Sequence, residues 1–161
     1  MQEMSIYGVS FDIGAKQPIV LLKTKNDNKF LPIWIGSNEA TAILMKLQGV
    51  ETARPMTHDL LNNVVSGLEG EVTRITVTDL RDSTFFALIT VRVASKEIEI
   101  DSRPSDALAL AVRTDAPIFA ADKVIEDSAL VLGSAEPGDT EDVVEAFKEF
   151  LDEVNPEDFA G

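Results

Sequence analysis

Phe30-Leu31-Pro32-Ile33-Trp34-Ile35-Gly36-Ser37-Asn38-Glu39-Ala40 is where the chain changes its period. Phe30 to Ile35 reads as a strand. Pro32 has no N–H to give a ladder, so an edge position or a bulge is expected there. Beyond Gly36-Ser37 the apolar residues Ala40, Ile43, Leu44 and Leu47 recur at i, i+3, i+4 and i+7, one stripe of an amphipathic helix. Ser37 has the chemistry of an N-cap, Glu39 lies in the first turn, and Gly49 supplies the stop.

Upstream, Tyr7, Val9, Phe11 and Ile13 alternate with polar residues over 4–14, which predicts a half-buried strand with those four on the inner face. Gly14 to Pro18 is a turn, Ile19 to Lys25 a second strand, and Asn26-Asp27-Asn28 a hairpin turn. Downstream, Thr57 is placed to cap a second helix with the stripe Leu60, Leu61, Val64, Val65 and Leu68. The grammar then repeats. Val72 to Leu80, the run from Phe85 to Val93, and the run through Ile98 and Ile100 are strands. Ser102 or Arg103 caps a helix carrying Leu108, Ala111 and Val112, with Pro104 in its first turn, where a missing N–H costs nothing. Ile118 to Ala121 reads as a short strand and Asp122 to Asp127 as a short helix.

The fold class expected is α+β: a mixed or antiparallel sheet with helices, in which residues 1–69 and 70–132 each spell βββαα. Ile35-Gly36-Ser37 and Ile100-Asp101-Ser102 open the two helical parts, 65 residues apart. The repeat is either a degenerate duplication or two runs of ordinary hairpin-and-helix grammar. The domain is expected over 1–132, a linker over 133–140, and an acidic helical tail over 141–161. Thr140 would cap that C-terminal amphipathic helix, whose apolar side carries Val143, Phe147, Phe150, Leu151 and Val154.

Composition narrows the function. The chain has 161 residues and a net charge of −14, of which −9 falls in 134–161 and −5 in 1–133. Nucleic-acid affinity comes largely from Lys and Arg displacing counterions, so this balance offers no wide basic groove. There is no cysteine, which excludes disulfides and thiolate chemistry, and with a single histidine no multi-His zinc site can form within one chain. No run of roughly 18 apolar residues is present, so no membrane span is expected. The N-terminal residues lack the features of a signal peptide, and a cytoplasmic protein is expected. No P-loop, GxGxxG, HExxH, GxSxG or EF-hand spacing occurs.

Three helix starts carry the candidate chemistry. In Arg54-Pro55-Met56-Thr57-His58-Asp59, free N–H groups and the helix dipole attract anions, Thr57 lies at the start, and Arg54 can grip a phosphate. His58 titrates near neutrality and suits proton transfer, and Asp59 can hold a hard cation. His58 and Asp59 point about 100° apart on a regular helix and would not meet. The bland reading is that Thr57 caps and Asp59 complements the dipole. Ser102-Arg103-Pro104-Ser105-Asp106 echoes that stretch, with Arg103 and Ser105 as anion contacts and Asp106 as the acid. Gly36-Ser37-Asn38-Glu39 is the third start, beside Trp34. Of Phe85-Phe86, a strand exposes at most one.

These stretches resemble the signature blocks of the bifunctional nuclease domain family: Leu31 to Gly36, Glu39-Ala40, Arg54-Pro55, Thr57 to Leu60, and Ser102 to Ala107, in order over about residues 4–130. Phe147 to Asp152 and Asn155 to Phe159 look like the C-terminal extension of bacterial members. The resemblance implies an α+β domain that self-associates as a dimer or larger homo-oligomer and hydrolyses DNA and RNA. At the matching positions, Glu39, Asp59 and Asp106 would bind a divalent cation, Mg²⁺ or Mn²⁺. His58, Asp59 and Asp106 would carry the catalysis, with Arg54, Thr57, Arg103 and Ser105 on the substrate. The alternative is a non-enzymatic regulatory module that holds a small anion or a protein partner at the same helix starts.

Overall fold

The alternating N-terminal residues form β1 (Gln2–Asp12), which pairs antiparallel with β2 (Gln17–Thr24). β2 pairs with β3 (Lys29–Trp34) in the same sense, and these strands begin a computed structural model that describes residues 1–131. The linker and tail expected over 133–161 lie outside the described residues. Helices α1 (Ser37–Leu47) and α2 (Thr57–Gly67) follow. A second antiparallel meander, β4 (Gly70–Arg81), β5 (Thr84–Val93) and β6 (Lys96–Ser102), leads into α3 (Pro104–Thr114). β7 (Ile118–Ala120), α4 (Asp122–Ser128) and β8 (Leu130–Val131) complete the described chain. The protein is thus α+β.

The eight strands lie in the order β6-β5-β4-β7-β1-β2-β3-β8. The sheet is mixed, because β7 runs parallel to β4 and antiparallel to β1. β1 and β4 therefore run in opposite directions on either side of β7, and a meander extends outward from each. A two-fold axis normal to the sheet would produce this relation. The second half departs from βββαα, because β7 comes between its two helices. Pro32 falls where an edge is needed. β8 covers β3 only at Lys29 and Phe30, so no ladder bond is lost at Pro32.

α3 is the centre of the molecule. Ala107, Leu108, Ala109, Leu110 and Ala111 are all buried, so this helix is enclosed more fully than one apolar stripe predicts. The small alanines let α1 and α2 pack close to α3, while its leucines fill the space between elements, at about 1.5–3 kcal/mol per buried large side chain. Asp115 ends α3 in the left-handed region at φ 53°, a conformation Asp tolerates better than most residues.

Two expected faces are reversed. Phe11 is 54% and Ile13 84% exposed, and Tyr7 is exposed too, while Asp12 is buried. Val9 alone keeps the expected core side, because the register of β1 on β2 shifts between Ile6 and Gly8 and the bulge brings Val9 onto the face of Met4 and Ile6. Asp12 is drawn inward by its hydrogen bonds from Trp34 and the Ala15 N–H. In α2, His58 is buried and Asn62 and Val65 are half-buried against the domain, whereas Leu60, Leu61, Val64 and Leu68 face outward. The helix turns its more polar side inward because His58 has a partner there. α1 and α2 start one residue early relative to expectation, with Gly36 and Met56 at the N-cap positions and Ser37 and Thr57 as the first helical residues, whereas Arg103 caps α3 as one of the two expected candidates. No described helix is long and apolar enough to cross a membrane.

Candidate functional site

Three helix N-termini carry side chains that meet. From the start of α3, Arg103 Nε donates to Asp106 Oδ2 at 2.7 Å, and its Nη2 donates to Glu39 Oε1 on α1 at 3.2 Å. The other oxygen of Asp106 lies 3.0 Å from Nε2 of His58 on α2. Glu39, Arg103, Asp106 and His58 thus form one continuous chain across three elements. Gly36 makes room for it, because a Cβ there would collide with Glu39 Oε2.

Burial alone would raise the Asp106 carboxyl, but hydrogen bonds from Arg103 and His58, with their charges, outweigh it and hold the group below the ordinary 3.8. The same bond with Asp106, followed by that acid's charge, raises the Arg103 guanidinium, and Glu39 adds to the effect. An ionised Asp106 accepts a hydrogen bond, so the His58 tautomer it selects carries its proton on Nε2 and keeps its lone pair on Nδ1. The His58 side chain is only 8% exposed, while Arg103 is 68% exposed and faces solvent.

His58 and Asp59 diverge, as their helical spacing requires. Asp59 Oδ2 accepts the Met56 N–H at 2.9 Å, and its Oδ1 accepts from Arg113 Nε at 2.5 Å. The Met56 N–H, then Arg113, hold the Asp59 carboxyl below 3.8. Arg113 is buried. It also donates to the carbonyls of Ala109 at 2.7 Å and Ala42 at 3.1 Å, and so ties α1, α2 and α3 together behind the site. Nothing in the sequence singled out Arg113.

Arg54 and Thr57 are exposed, and neither side chain is bonded to the chain of four. Among the described residues no three His, Asp or Glu groups come together as a metal cradle. The Arg103 guanidinium takes the place of positive charge between Glu39 and Asp106, so these donors do not fit a cation in this arrangement.

A cleft of about 130 Å³ opens beside Arg103, with walls from both meanders. Gln17, Trp34 and Gly36 line it from the first half, and Thr84, Phe85 and Ser105 from the second. Ser105 is 7% exposed, and its hydroxyl makes no hydrogen bond among the described residues. Asp12, which carried no signal in the sequence beyond its polarity, anchors one wall. It is buried, and it accepts from Trp34 Nε1 at 3.2 Å and from the Ala15 N–H at 3.0 Å.

The fold and these helix starts define a class. The family model of the bifunctional nuclease domain matches residues 20–132, and the chain belongs to that family. An uncharacterized protein of Mycobacterium tuberculosis (strain ATCC 25618 / H37Rv) is 38% identical over 164 residues, covering 99% of this chain and 98% of the relative. Bifunctional nuclease 1 of Arabidopsis thaliana is 31% identical over 65% of this chain and 33% of its own length. Bifunctional nuclease 2 of the same plant is 30% identical over 62% of this chain and 31% of its own length.

Proposed function

We propose that this chain hydrolyses phosphodiester bonds of DNA or RNA, with His58 as the proton-transferring group, Asp106 as its orienting acid and Arg103 as the phosphate contact. The observation that carries the reading is the 3.0 Å pairing of His58 with Asp106, whose other oxygen is bound by an exposed arginine. Family membership supports the same reading. In it, His58 takes a proton from the attacking water and later returns one to the leaving oxygen. Arg103 has Nη1 unbonded among the described residues, and directs it at a non-bridging oxygen as charge develops. Ser105 and the α3 N-terminus add neutral donors. Thr57 and Arg54 guide the strand beyond the site. The Mg²⁺ or Mn²⁺ expected at Glu39, Asp59 and Asp106 has no part in this reading, because Arg103 and Arg113 occupy those carboxylates.

Hydrolysis of single- and double-stranded DNA and RNA, with and without Mg²⁺ or Mn²⁺, tests this. His58→Ala and Asp106→Asn are each expected to lower kcat by about 10²–10⁴-fold, the range for a lost general acid–base group. Cleavage unchanged in both variants marks the activity as a contaminant and removes the reading.

The second reading is a non-enzymatic binding module. Arg103 is already neutralised by two carboxylates, and His58 is enclosed, which suits a rigid recognition surface. Saturable nucleotide or peptide binding without turnover would select it. A homo-oligomer, dimer or larger, accompanies either reading. Its support is β6, an edge strand exposed along almost its whole length with Ile98 and Ile100 uncovered. The cytoplasm is the location we assign.

A further inference from the structure

We infer that the cleft between the two meanders receives one unstacked pyrimidine base of a single strand, with the neighbouring phosphate on Arg103. This rests on the reading of the protein as acting on nucleic acid, and it names the strand form that the site accepts. Size is the first argument. A cleft of about 130 Å³ is smaller than the ~300–1,000 Å³ pockets that hold whole drug-sized ligands. It is close to the ~150 Å³ cavity that accommodates a benzene ring. One six-membered ring fits, whereas a purine or an entire nucleotide does not.

Charge is the second argument. Glu39 and Asp106 already balance Arg103, so a phosphate dianion placed deep in the cleft would face two acids across one guanidinium. A neutral ring avoids that repulsion, and its phosphate stays at the exposed rim, where Arg103 is accessible.

The lining supplies the third argument. Trp34, Phe85 and Pro104 give apolar and aromatic walls. Ser105, a residue more than nine-tenths buried, and Gln17 make no side-chain hydrogen bond among the described residues, and both line the cleft. They match the alternating donors and acceptors on a pyrimidine edge. Bases are presented in this way only by single strands, where an unstacked ring can leave the backbone.

Trp34 is the only tryptophan in the chain, so its emission reports on this cleft. Wild-type protein and His58→Ala are titrated with short oligo(dT), oligo(dA), an abasic oligomer of equal length, and a duplex. Oligo(dT) is expected to change the emission saturably in both proteins, with at least tenfold weaker binding of the abasic oligomer and the duplex. Oligo(dA), whose purine does not fit, should bind no more tightly than the abasic oligomer. Ser105→Ala should weaken oligo(dT) by about threefold to tenfold, the scale of one hydrogen bond, and leave the abasic oligomer unaffected. Equal affinity for oligo(dT) and the abasic oligomer overturns the inference even where hydrolysis is confirmed. Base-dependent binding without hydrolysis leaves it standing and removes only the proposed reaction.

Discussion

Arg113 shows how one residue sets the geometry of a site it does not enter. Its guanidinium is 7% exposed and spends its donors on Asp59 and on carbonyls of α1 and α3. Removal leaves a carboxylate and two carbonyls without their partner in a partly enclosed place. Arg113→Ala is therefore expected to cost ~2–4 kcal/mol, discounted for the partial exposure of Asp59, as a lower urea midpoint with an unchanged slope. Loss of activity should follow unfolding. His58→Ala should instead lose activity with a small change in midpoint, which separates the positioning arginine from the proton carrier. Acid acts on the same residues. Asp59 and Asp106 both have folded-state values depressed below 3.8, so their contribution is complete above that pH. It disappears as pH falls from 3.8 through the lower folded values, because protonation is then easier in the unfolded chain. Urea midpoints measured down that window should drop more steeply for the wild type than for Asp59→Asn, and parallel curves would mean that Asp59 carries no such linkage.

At the scale of elements, α2 separates what periodicity reveals from what it hides. The recurrence of Leu60, Leu61, Val64 and Leu68 marks a helix with an apolar side, and a helix does form there. The pattern does not say which partner covers that side, and here the domain takes His58, Asn62 and Val65 instead. Stability should follow the structure and not residue size. Val65→Ala is expected to cost about 1 kcal/mol, and Leu68→Ala, at a position 72% exposed, less than ~0.5 kcal/mol, both by urea unfolding. The element order was legible because Gly36-Ser37 and Ser102-Arg103-Pro104 punctuate it with caps and a helix-starting proline. The insertion of β7 between β4 and β1 was not legible, because three residues, Ile118 to Ala120, contain no information about their neighbours. The bulge in β1 was equally hidden, and so was the burial of Asp12 against Trp34 and the Ala15 N–H. For the site, residue chemistry singled out Glu39, His58, Arg103 and Asp106, and tertiary packing joined them. It also parted Asp59 from that group, since the pull of a buried Arg113 far along the chain cannot be read locally. For the homo-oligomer proposed above, β6 is the candidate seam. Ile98→Lys with Ile100→Lys places charge on the open edge, and sedimentation should then show a smaller assembly at concentrations where the wild type associates.

At the scale of the whole molecule, charge decides how nucleic acid is held. The net charge of −14 repels a polyanion, and even residues 1–133 stand at −5. Most described cations are engaged: Arg74, Arg81, Arg92, Arg103 and Arg113 each have an acidic partner. Arg54, Lys16, Lys46 and Lys96 have no ion pair among the described residues, and Arg103 is the cation that lines the cleft. Each phosphate neutralised on a single strand contributes a slope of about −0.7 to the dependence of log affinity on log salt. One or two contacts therefore predict a slope between roughly −0.7 and −1.4, against about −4 to −7 for a protein with a basic groove that grips six to ten phosphates. Affinity that survives salt must come from the cleft, because the packing of a ring against Trp34, Phe85 and Pro104 releases no counterions. Titrations of oligo(dT) from 50 to 500 mM KCl, read by Trp34 emission, measure the slope directly. Arg103→Gln should bring it nearer zero by about 0.7 if that arginine holds a phosphate. A slope steeper than about −3 in the wild type would require a run of phosphate contacts beyond Arg103, and would move the strand away from this cleft.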